Sequence, residues 1–377
     1  MSHIEQLIEQ RVAERQLEWF PDREQSRQVW VRALGRRPKS SMFGVYLGDP
    51  SGPPQILAKT RLAGAAASPQ GRPRPSGRPR LRAEPATPQE LAALEYEGLQ
   101  SIVALFGTSH PTFGVVRPLD HLEAESTILM EYVDAVTLRH RLIGESRLLP
   151  HHFATRRRMA SSNVWRDAGG WLRAFQQATP TRPRPARQST RQDIVDRLLA
   201  YGDFLTGRLG GRAVGDVSAR AAELAAAVLP ERLPLAVSHG DYAPRNMFVD
   251  DHDRITVFDP LPRWVVPRYE DLCRLLVGIR MLGLQLHSHG AAFHREALER
   301  HERDAIDGYL AGDEPLLPQI QCYELLILLD KWSALVESST AGRGWRRRLN
   351  ETSLALSSRY VRDQAERILE LSRVAAG

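Results

Sequence analysis

The stretch that decides the fold covers residues 238–260 and reads SHGDYAPRNMFVDDHDRITVFDP. Two short apolar runs, MFV and ITVF, flank the polar turn DDHDR, and this pattern predicts a two-stranded antiparallel hairpin. A His-Gly-Asp triplet ends at Asp241 before the first strand, Asn246 precedes that strand directly, and Asp259 follows the second strand. Because antiparallel strands return to the same end, we expect these three oxygen-bearing side chains to converge.

The spacing of these residues indicates a specific chemistry. Magnesium prefers oxygen ligands and usually keeps water and substrate phosphates in its coordination shell. In protein kinases the catalytic Asp and a metal-binding Asn lie five positions apart, and a second metal-binding Asp follows on the next strand. Asp241 and Asn246 are also five positions apart, and Asp259 ends the following strand. We therefore predict phosphoryl transfer, with Asp241 as the catalytic residue and Asn246 and Asp259 as magnesium ligands.

The same motif resembles that of the aminoglycoside phosphotransferase and choline kinase group, small-molecule kinases with a protein-kinase-like fold. His-Gly-Asp, then Asn, then an Asp that ends an apolar strand are matched by His239–Asp241, Asn246 and Asp259. By motif order the resemblance extends from about residue 38 to residue 285. It implies an α+β, two-lobed fold with a small β-rich first lobe and a larger, mostly helical second lobe. It also implies ATP and Mg²⁺ as cofactors.

The resemblance further implies a lysine on a first-lobe strand that contacts the α- and β-phosphates, together with a glutamate on the next helix. Lys59 in the strand-like segment ILAKT fits the first role, in a chain that has only three lysines among its 51 basic residues. Glu95 fits the second role, with Glu97 as the alternative. We prefer Glu95 because Leu99 and Ile102 place it beside the buried face of the predicted helix.

Two further segments correspond to nucleotide contacts in the family. The segment RRPKSSMFGVY occupies the position of the phosphate-covering loop, where Ser40 and Ser41 would offer hydroxyl and backbone N–H groups to the phosphates. The segment ILMEYVDAVTL resembles the hinge, which implies adenine hydrogen bonds to the backbone between Glu131 and Val133. All four residues are therefore candidate cofactor-binding residues.

Three supporting residues complete the candidate site. His239 is predicted to stabilise the loop, and Arg245, beside the metal-binding Asn, is predicted to face phosphate or substrate. Asp271 either caps the start of the next helix or holds the catalytic loop. The chain departs from the family where a second-lobe helix commonly ends in Leu-His, because Phe175 and Gln176 stand there.

The organisation of the chain agrees with two lobes, since 377 residues exceed one ordinary hydrophobic core. We divide it into an N-terminal helical extension at 1–35, a first lobe at 36–133 and a helical second lobe at 134–377. The first lobe contains a segment at 62–89 that is rich in Ala, Gly, Pro, Ser and Arg and lacks apolar periodicity. Such a composition predicts a mobile basic insertion.

Composition narrows the partners and the location. A pI near 9.6 and a formal charge of +6 favour an anionic partner. The arginines at 71–82 have no aromatic residues between them, which argues against nucleic-acid binding.

Two cysteines in apolar helical patterns argue against a disulfide framework. With no apolar leader and no apolar run of about 18 residues, we expect a cytoplasmic protein without a membrane span. The oligomeric state is left open.

The net positive charge of the chain favours one class of acceptor molecule. Aminoglycosides are polycations, whereas this chain is basic, so a neutral or anionic hydroxylated small molecule such as a sugar, a polyol or a related metabolite is favoured. An aminoglycoside-type acceptor stays open as the alternative.

A nucleotide-binding pseudokinase or regulatory scaffold is the rival function. It predicts the loss of a catalytic group, yet Lys59, Asp241, Asn246 and Asp259 are all present.

Overall fold

A computed structural model shows two compact units, and most of the chain is described. The described residues are 2–23, 28–37, 39–62, 77–81, 86–148, 162–181, 184–313, 316–339 and 345–376. The first unit comprises Met1–Arg74, Glu84–Ala135 and Thr256–Leu261, and the second comprises Pro75–Ala83, Val136–Ile255 and Pro262–Gly377. The first unit contains a β-sheet and the second is mostly helical, as the sequence predicted for an α+β kinase-like fold.

A five-stranded antiparallel sheet forms the centre of the first unit, in the order β1-β2-β3-β6-β5. Its strands are β1 (Val29–Arg37), β2 (Ser40–Leu47), β3 (Ile56–Arg61), β5 (Pro118–Leu122) and β6 (Thr127–Glu131). The two-residue strand β4 (Phe113–Gly114) is not part of this sheet. In this register Met42 lies opposite Lys59 on one side of β3, and Ile128 lies opposite Lys59 on the other. Lys59 is therefore on the central strand, flanked by neighbours on both sides.

Two helices accompany this sheet, α1 (His3–Trp19) and α2 (Pro88–Phe106). Each begins at a capping box, in which Ser2 or Thr87 exchanges hydrogen bonds with the residue three positions on, so the helix starts are fixed locally. Helix α1 packs apolar side chains such as Ile8 and Val12 into a core that includes Phe43.

The structure corrects the helical extension predicted at 1–35. The helix ends at Trp19, and Val29–Arg37 is the edge strand of the sheet. The side chains of β1 are mostly exposed, and the strand is held by backbone pairing with β2. Because an edge strand with exposed side chains needs no alternation of apolar and polar residues, its sequence carried a weak strand signal.

The second unit consists of helices and short paired strands. Its helices are α3 (Leu138–Gly144), α4 (Ser162–Ala178), α5 (Arg191–Leu209), α6 (Gly211–Val214), α7 (Val217–Val228), α8 (Glu270–Arg280), α9 (Gly283–His287), α10 (Arg295–Leu310), α11 (Leu317–Ser339) and α12 (Trp345–Ala376). Its strands are β7 (Val136–Thr137), β8 (Leu235–Val237), β9 (Met247–Val249) and β11 (Val265–Pro267), whereas Thr256 and Val257 of β10 (Ile255–Val257) belong to the first unit. Strand β7 pairs with β9, and β8 pairs with β11. None of the helices described is long and apolar enough to cross a membrane.

Two glycines allow α4 and α10 to approach very closely. A Cβ atom on Gly169 would overlap the carbonyl oxygen of Ala305, and one on Gly308 would overlap the carbonyl oxygen of Arg166. Backbone atoms cannot withdraw as a flexible side chain can, so both positions require glycine. The close approach fixes α4, the helix that contacts the His-Gly-Asp loop.

Part of the basic insertion predicted at 62–89 is held in the second unit. Gly77–Leu81 is described, and there the Arg78 guanidinium donates to Asp330 Oδ1 at 2.7 Å and to Ser333 Oγ at 2.8 Å. Leu81 is buried. Arg78 is held by these contacts and Leu81 by burial, whereas composition predicted a mobile segment here. Positions 63–76 and 82–85 of the insertion lie outside the described residues.

Candidate active site

Within the first unit, one lysine contacts two carboxylates. Lys59 on β3 is only 5% exposed, and its Nζ donates to Glu95 Oε1 at 2.7 Å and also to Asp259 Oδ1. Glu97 is exposed on α2, so the structure pairs Lys59 with Glu95 and not with the alternative. The face of α2 that carries Glu95 also buries Leu99, which explains why the glutamate enters the interior.

A second cation in this cluster was missed in the sequence. Arg61 donates from Nε to Glu95 Oε2 at 3.0 Å, and its Nη2 contacts the same oxygen. Its Nη2 is 3.6 Å from Asp259 Oδ1. Successive side chains alternate between the faces of a strand, so Arg61, two positions after Lys59, had to share its face. That spacing was the available signal.

Burial and charge compete at both members of the Lys59–Glu95 pair. Burial alone would raise the pKa of Glu95, but the adjacent Lys59 and Arg61 charges outweigh it, and the pKa is lowered. Burial lowers the pKa of Lys59 to about 8, although the Glu95 charge acts in the opposite direction. Both groups are therefore charged at neutral pH, and the lysine is the one closer to losing its charge.

Asp259 has an unusual backbone conformation. Its φ angle is 61°, in the left-handed region that few non-glycine residues adopt, with aspartate among the better tolerated. The preceding Phe258 packs against the apolar cluster that contains Leu99 and Val116, and the following Pro260 is buried. Neighbours on both sides thus hold the conformation that presents the Asp259 carboxylate to Lys59.

The remaining predicted nucleotide contacts lie on two strands of the sheet. Ser40 and Ser41 are the first residues of β2, opposite Arg61 and Thr60 of β3 respectively. Ser40 is buried, and Ser41 is partly exposed. The two serines are therefore on the strand next to Lys59, and their role in covering phosphates stays a prediction.

The predicted hinge shows which backbone groups are engaged. The Glu131 N–H donates to the Arg117 carbonyl, and the Tyr132 N–H donates to the Gln55 carbonyl, both at 2.9 Å. Among the described residues the Val133 N–H has no hydrogen-bond partner. Of the three N–H groups in the predicted adenine-binding segment, that of Val133 is the one available to a base.

Within the second unit, the catalytic loop is organised around Asp241. Its Oδ2 accepts a hydrogen bond from Asn246 Nδ2 at 3.0 Å, and its backbone carbonyl accepts one from the same nitrogen at 2.8 Å. Arg245 forms an ion pair with Oδ1. The side chain of Asp241 is 23% exposed and that of Arg245 is 45% exposed. Asp241, the predicted catalytic residue, is therefore in contact with Asn246, one of the two predicted metal ligands, and Arg245 reaches the Asp241 carboxylate.

His239 supports the loop from beneath. It is fully buried, and its ring packs edge-on against Trp171 at 5.9 Å, Phe175 at 6.2 Å and Tyr242 at 5.5 Å between ring centroids. The Tyr242 hydroxyl donates to the carbonyl of Ala168 on α4. Aromatic packing against α4 therefore holds the start of the loop, and the stabilising role of the histidine stays a prediction.

Asp271 holds the loop through its backbone. Its Oδ2 accepts the His239 N–H at 2.5 Å, and its Oδ1 accepts the Ser238 hydroxyl at 3.1 Å. Helix α8 has Tyr269 as its N-cap, without a side-chain cap. Of the two roles considered for Asp271, the contacts fit holding the catalytic loop. Burial raises its pKa to about 6, opposed by the nearby Arg274.

The departure from the family at Phe175 and Gln176 also has a structural reason. Phe175 contacts the His239 ring, as described above. Gln176 Nε2 donates to the carbonyl of Arg268 at 3.1 Å, and its Oε1 accepts the Tyr309 hydroxyl at 2.7 Å. The glutamine therefore ties α4 to α10 and to the segment before α8.

The sequence matches the profile of the phosphotransferase enzyme family over residues 78–309. Since this match covers more than half of the chain, the protein belongs to that family. It is thus a small-molecule kinase that uses a hydroxyl group as the acceptor. A search of curated protein sequences found no significant match.

Solved structures with a similar fold include the spectinomycin phosphotransferase APH(9)-Ia in complex with ADP and spectinomycin. It is 11% identical, with 96% of this chain and 98% of that chain covered and a TM-score of 0.51. The GDP and kanamycin complex of APH(2")-IIia is 13% identical, with 97% and 99% covered and a TM-score of 0.50. A choline/ethanolamine kinase family protein from Mesorhizobium loti is 13% identical, with 92% of each chain covered and a TM-score of 0.48. The first two share the fold of this chain.

Proposed function

We propose that the protein transfers the γ-phosphate of Mg-ATP to a hydroxyl group of a small molecule. The observation that carries this proposal is the Lys59 ammonium, which contacts both Glu95 and Asp259. Phosphoryl transfer in kinase-like folds requires a Lys–Glu pair for the phosphates and an aspartate for the metal. Nucleotide use is supported by the ADP and GDP bound to the two structural neighbours.

The proposed magnesium site fits the residues present. Asn246 and Asp259 offer an amide oxygen and a carboxylate, which are the hard oxygen ligands that magnesium prefers. The amide nitrogen of Asn246 is used by Asp241, so its oxygen is the atom left for a metal. At these residues a bound magnesium ion would supply charge neutralisation to the nucleotide phosphates. Lys59 then contacts the α- and β-phosphates, and Ser40 and Ser41 cover them.

Asp241 acts on the acceptor in this proposal. Its carboxylate orients the attacking hydroxyl and takes its proton, and transfer proceeds in line without a phospho-enzyme. Both carboxylate oxygens already have donors, Asn246 on one side and Arg245 on the other. Arg245 is the more exposed partner, so we expect the acceptor to displace Arg245 when its hydroxyl reaches Asp241.

The acceptor is the finer part of the proposal. A guanidinium group beside Asp241 disfavours a polycation and favours a neutral or anionic hydroxylated molecule such as a sugar, a polyol or a related metabolite. An aminoglycoside-type antibiotic is the second acceptor class, since spectinomycin and kanamycin are bound in the two structural neighbours. A cytoplasmic location is part of the same proposal.

The test is direct. Purified protein is incubated with Mg-ATP and separate pools of sugars, polyols, phosphorylated metabolites and aminoglycosides, and mass spectrometry detects an added phosphate. We expect Asp241→Asn to reduce transfer by about 10²- to 10⁴-fold, because a positioned base contributes that much. Mg-nucleotide binding is expected to persist in this variant. Asp251→Asn, an exposed position in the hairpin turn, is the matched control.

Each outcome of this test decides something. Full transfer activity in Asp241→Asn would refute the role of Asp241. Wild-type protein that binds Mg-ATP but phosphorylates no pool would favour the pseudokinase or scaffold. Wild-type protein that binds no nucleotide would refute the proposed function. Transfer to the aminoglycoside pool alone would overturn the acceptor preference.

A further inference from the structure

One buried cation, Lys59, and one partly buried cation, Arg61, contact the same glutamate in the first unit. Lys59 contacts Glu95 Oε1, and Arg61 contacts Glu95 Oε2 through both Nε and Nη2. The side chains of Lys59, Arg61 and Glu95 are 7%, 11% and 2% exposed. These contacts are therefore shielded from water, and solvent screens them less than surface ion pairs.

The two cations differ in what they can fix. A lysine ammonium is a compact point charge on a flexible stem, whereas a guanidinium is a rigid planar fork with several N–H donors. Because two nitrogens of Arg61 contact Oε2, the arginine restricts the rotation of the Glu95 carboxylate. This leaves Oε1 directed at Lys59. Arg61 therefore acts on the lysine through the glutamate.

The number of charged groups in this cluster also indicates that Arg61 acts on Lys59 through Glu95. Two cations face two carboxylates, Glu95 and Asp259, and Arg61 Nη2 is 3.6 Å from Asp259 Oδ1. When Lys59 turns toward nucleotide phosphates and Asp259 toward a metal, Glu95 keeps Arg61 as a neutralising partner. Without Arg61, the buried Glu95 carboxylate would have Lys59 as its one neutralising cation. Its attraction for Lys59 would then oppose the movement of the ammonium toward the phosphates.

We propose that Arg61 is a positioning residue of the nucleotide site, which holds Glu95 so that the Lys59 ammonium is presented to the nucleotide phosphates. This inference rests on the proposed function. A purely structural Arg61 would stabilise the sheet and α2 and leave nucleotide affinity unchanged. The two roles are separated by measuring nucleotide binding and stability in the same variants.

The experiment uses calorimetric titration of Mg-ATP into full-length protein, with thermal unfolding measured in parallel. Arg61→Gln is expected to raise the Kd by about tenfold in folded protein, since a misplaced partner costs on the order of one decade or more. Arg61→Lys keeps the charge and loses the fork, so it is expected to recover stability better than affinity. Arg32→Gln, an exposed arginine on β1, is the control for loss of charge.

A double variant tests whether Arg61 acts through Lys59. In a Lys59→Met background the effect of Arg61→Gln on the Kd is expected to shrink to less than about twofold, because residues that act as a unit are not additive. An equal effect in both backgrounds would overturn positioning through the lysine. Should Arg61→Gln fail to fold, Arg61→Lys decides the matter: a folded variant with wild-type Kd overturns the proposal, and a weakened Kd supports it.

The failure of this inference differs from the failure of the proposed function. Wild-type protein that binds no Mg-ATP would refute both. Wild-type protein that binds Mg-ATP, together with a folded Arg61→Gln whose Kd is unchanged and whose unfolding temperature is lowered, would refute only the positioning role. In that case Arg61 would be a structural ion-pair partner.

Discussion

Two fully buried carboxylates, Glu95 in the first unit and Asp271 in the second, have pKa values that shift in opposite directions. Burial raises the pKa of both. At Glu95 the charges of Lys59 and Arg61 outweigh burial, and the pKa is lowered. At Asp271 the contacts come from a backbone N–H and a hydroxyl, and Arg274 is 4.0 Å away, so the pKa is raised to about 6.

The difference shows that burial alone does not determine the state of a carboxylate. A carboxylate held by cations is locked in its charged form, and removing it leaves those cations buried without compensation. A carboxylate held by neutral donors is stabilised less in its charged form. When that charge is removed, a neutral oxygen can still accept hydrogen bonds from the same donors. Equal burial should therefore give unequal mutational costs in the two units.

The largest effect is expected for Glu95→Gln. It leaves Lys59 and Arg61 buried with Asp259 as their one carboxylate, so we expect the free energy of unfolding to fall by about 3–5 kcal/mol. Urea unfolding at pH 7 measures the change. Glu97→Gln, on the exposed side of the same helix, is the matched control and should change stability by less than about 0.5 kcal/mol. A loss as small as that of the control would show that the cations do not depend on Glu95.

A smaller effect is expected for Asp271→Asn. The amide oxygen still accepts one of the two hydrogen bonds, so we expect a loss of about 1–2 kcal/mol in unfolding free energy. Because one of the two contacts that hold residues 238 and 239 is lost, phosphate transfer should fall by about 10- to 100-fold. Asp251→Asn on the exposed turn serves again as the control.

The pH dependence of this variant has a definite sign. The folded-state pKa of Asp271 lies above its ordinary value, so its contribution to stability is fully present below the unfolded pKa near 3.8 and is lost as the pH rises through about 6. Asp271→Asn removes that dependence, and its cost relative to wild type should be larger at pH 4.5 than at pH 7. A cost that increases with pH would contradict the raised pKa.

The contacts that could be predicted from the sequence are those that depend on residue spacing within short segments. Asp241 and Asn246 contact each other because five positions are enough for one tight loop, and that relation is local. Lys59 and Glu95 were placed by the strand they lie on and by the buried face of a helix, which are also short-range patterns. The kinase-like fold followed from the order of these motifs, and the family match confirms it.

The parts that the sequence did not predict depend on which distant partner a side chain meets. Arg78 was read as part of a mobile arm because its neighbours lack periodicity, yet Asp330 binds it from more than 250 positions away. Arg61 is one of many arginines, and its partner, the second oxygen of Glu95, lies 34 positions away along the chain. In a chain with so many arginines, composition cannot say which of them is buried against a carboxylate.

At a third buried carboxylate, Glu324, the ratio of cations to carboxylates is lower than at Glu95. In the second unit Arg280 Nε contacts Glu302 Oε1 at 2.5 Å, and Arg280 Nη2 lies 3.2 Å from Glu324 Oε1, so one cation serves two carboxylates. Burial, opposed by Arg280 and reinforced by Glu302, raises the pKa of Glu324 to about 7. Where Glu95 has two cations and a lowered pKa, Glu324 shares one and has a raised pKa.

This contrast predicts an effect of Glu324 on stability that depends on pH. The folded-state pKa of Glu324 lies above its unfolded value near 4.5, so its contribution to stability is present below that value and is lost as the pH rises through about 7. Glu324→Gln should therefore gain on wild type by about 2–3 kcal/mol between pH 5 and pH 8. Urea midpoints at pH 5, 6.5 and 8 measure this gain, with the exposed Glu296→Gln as control. A difference that stays constant with pH would show that Glu324 is charged throughout, and that a single arginine is enough to lock two carboxylates.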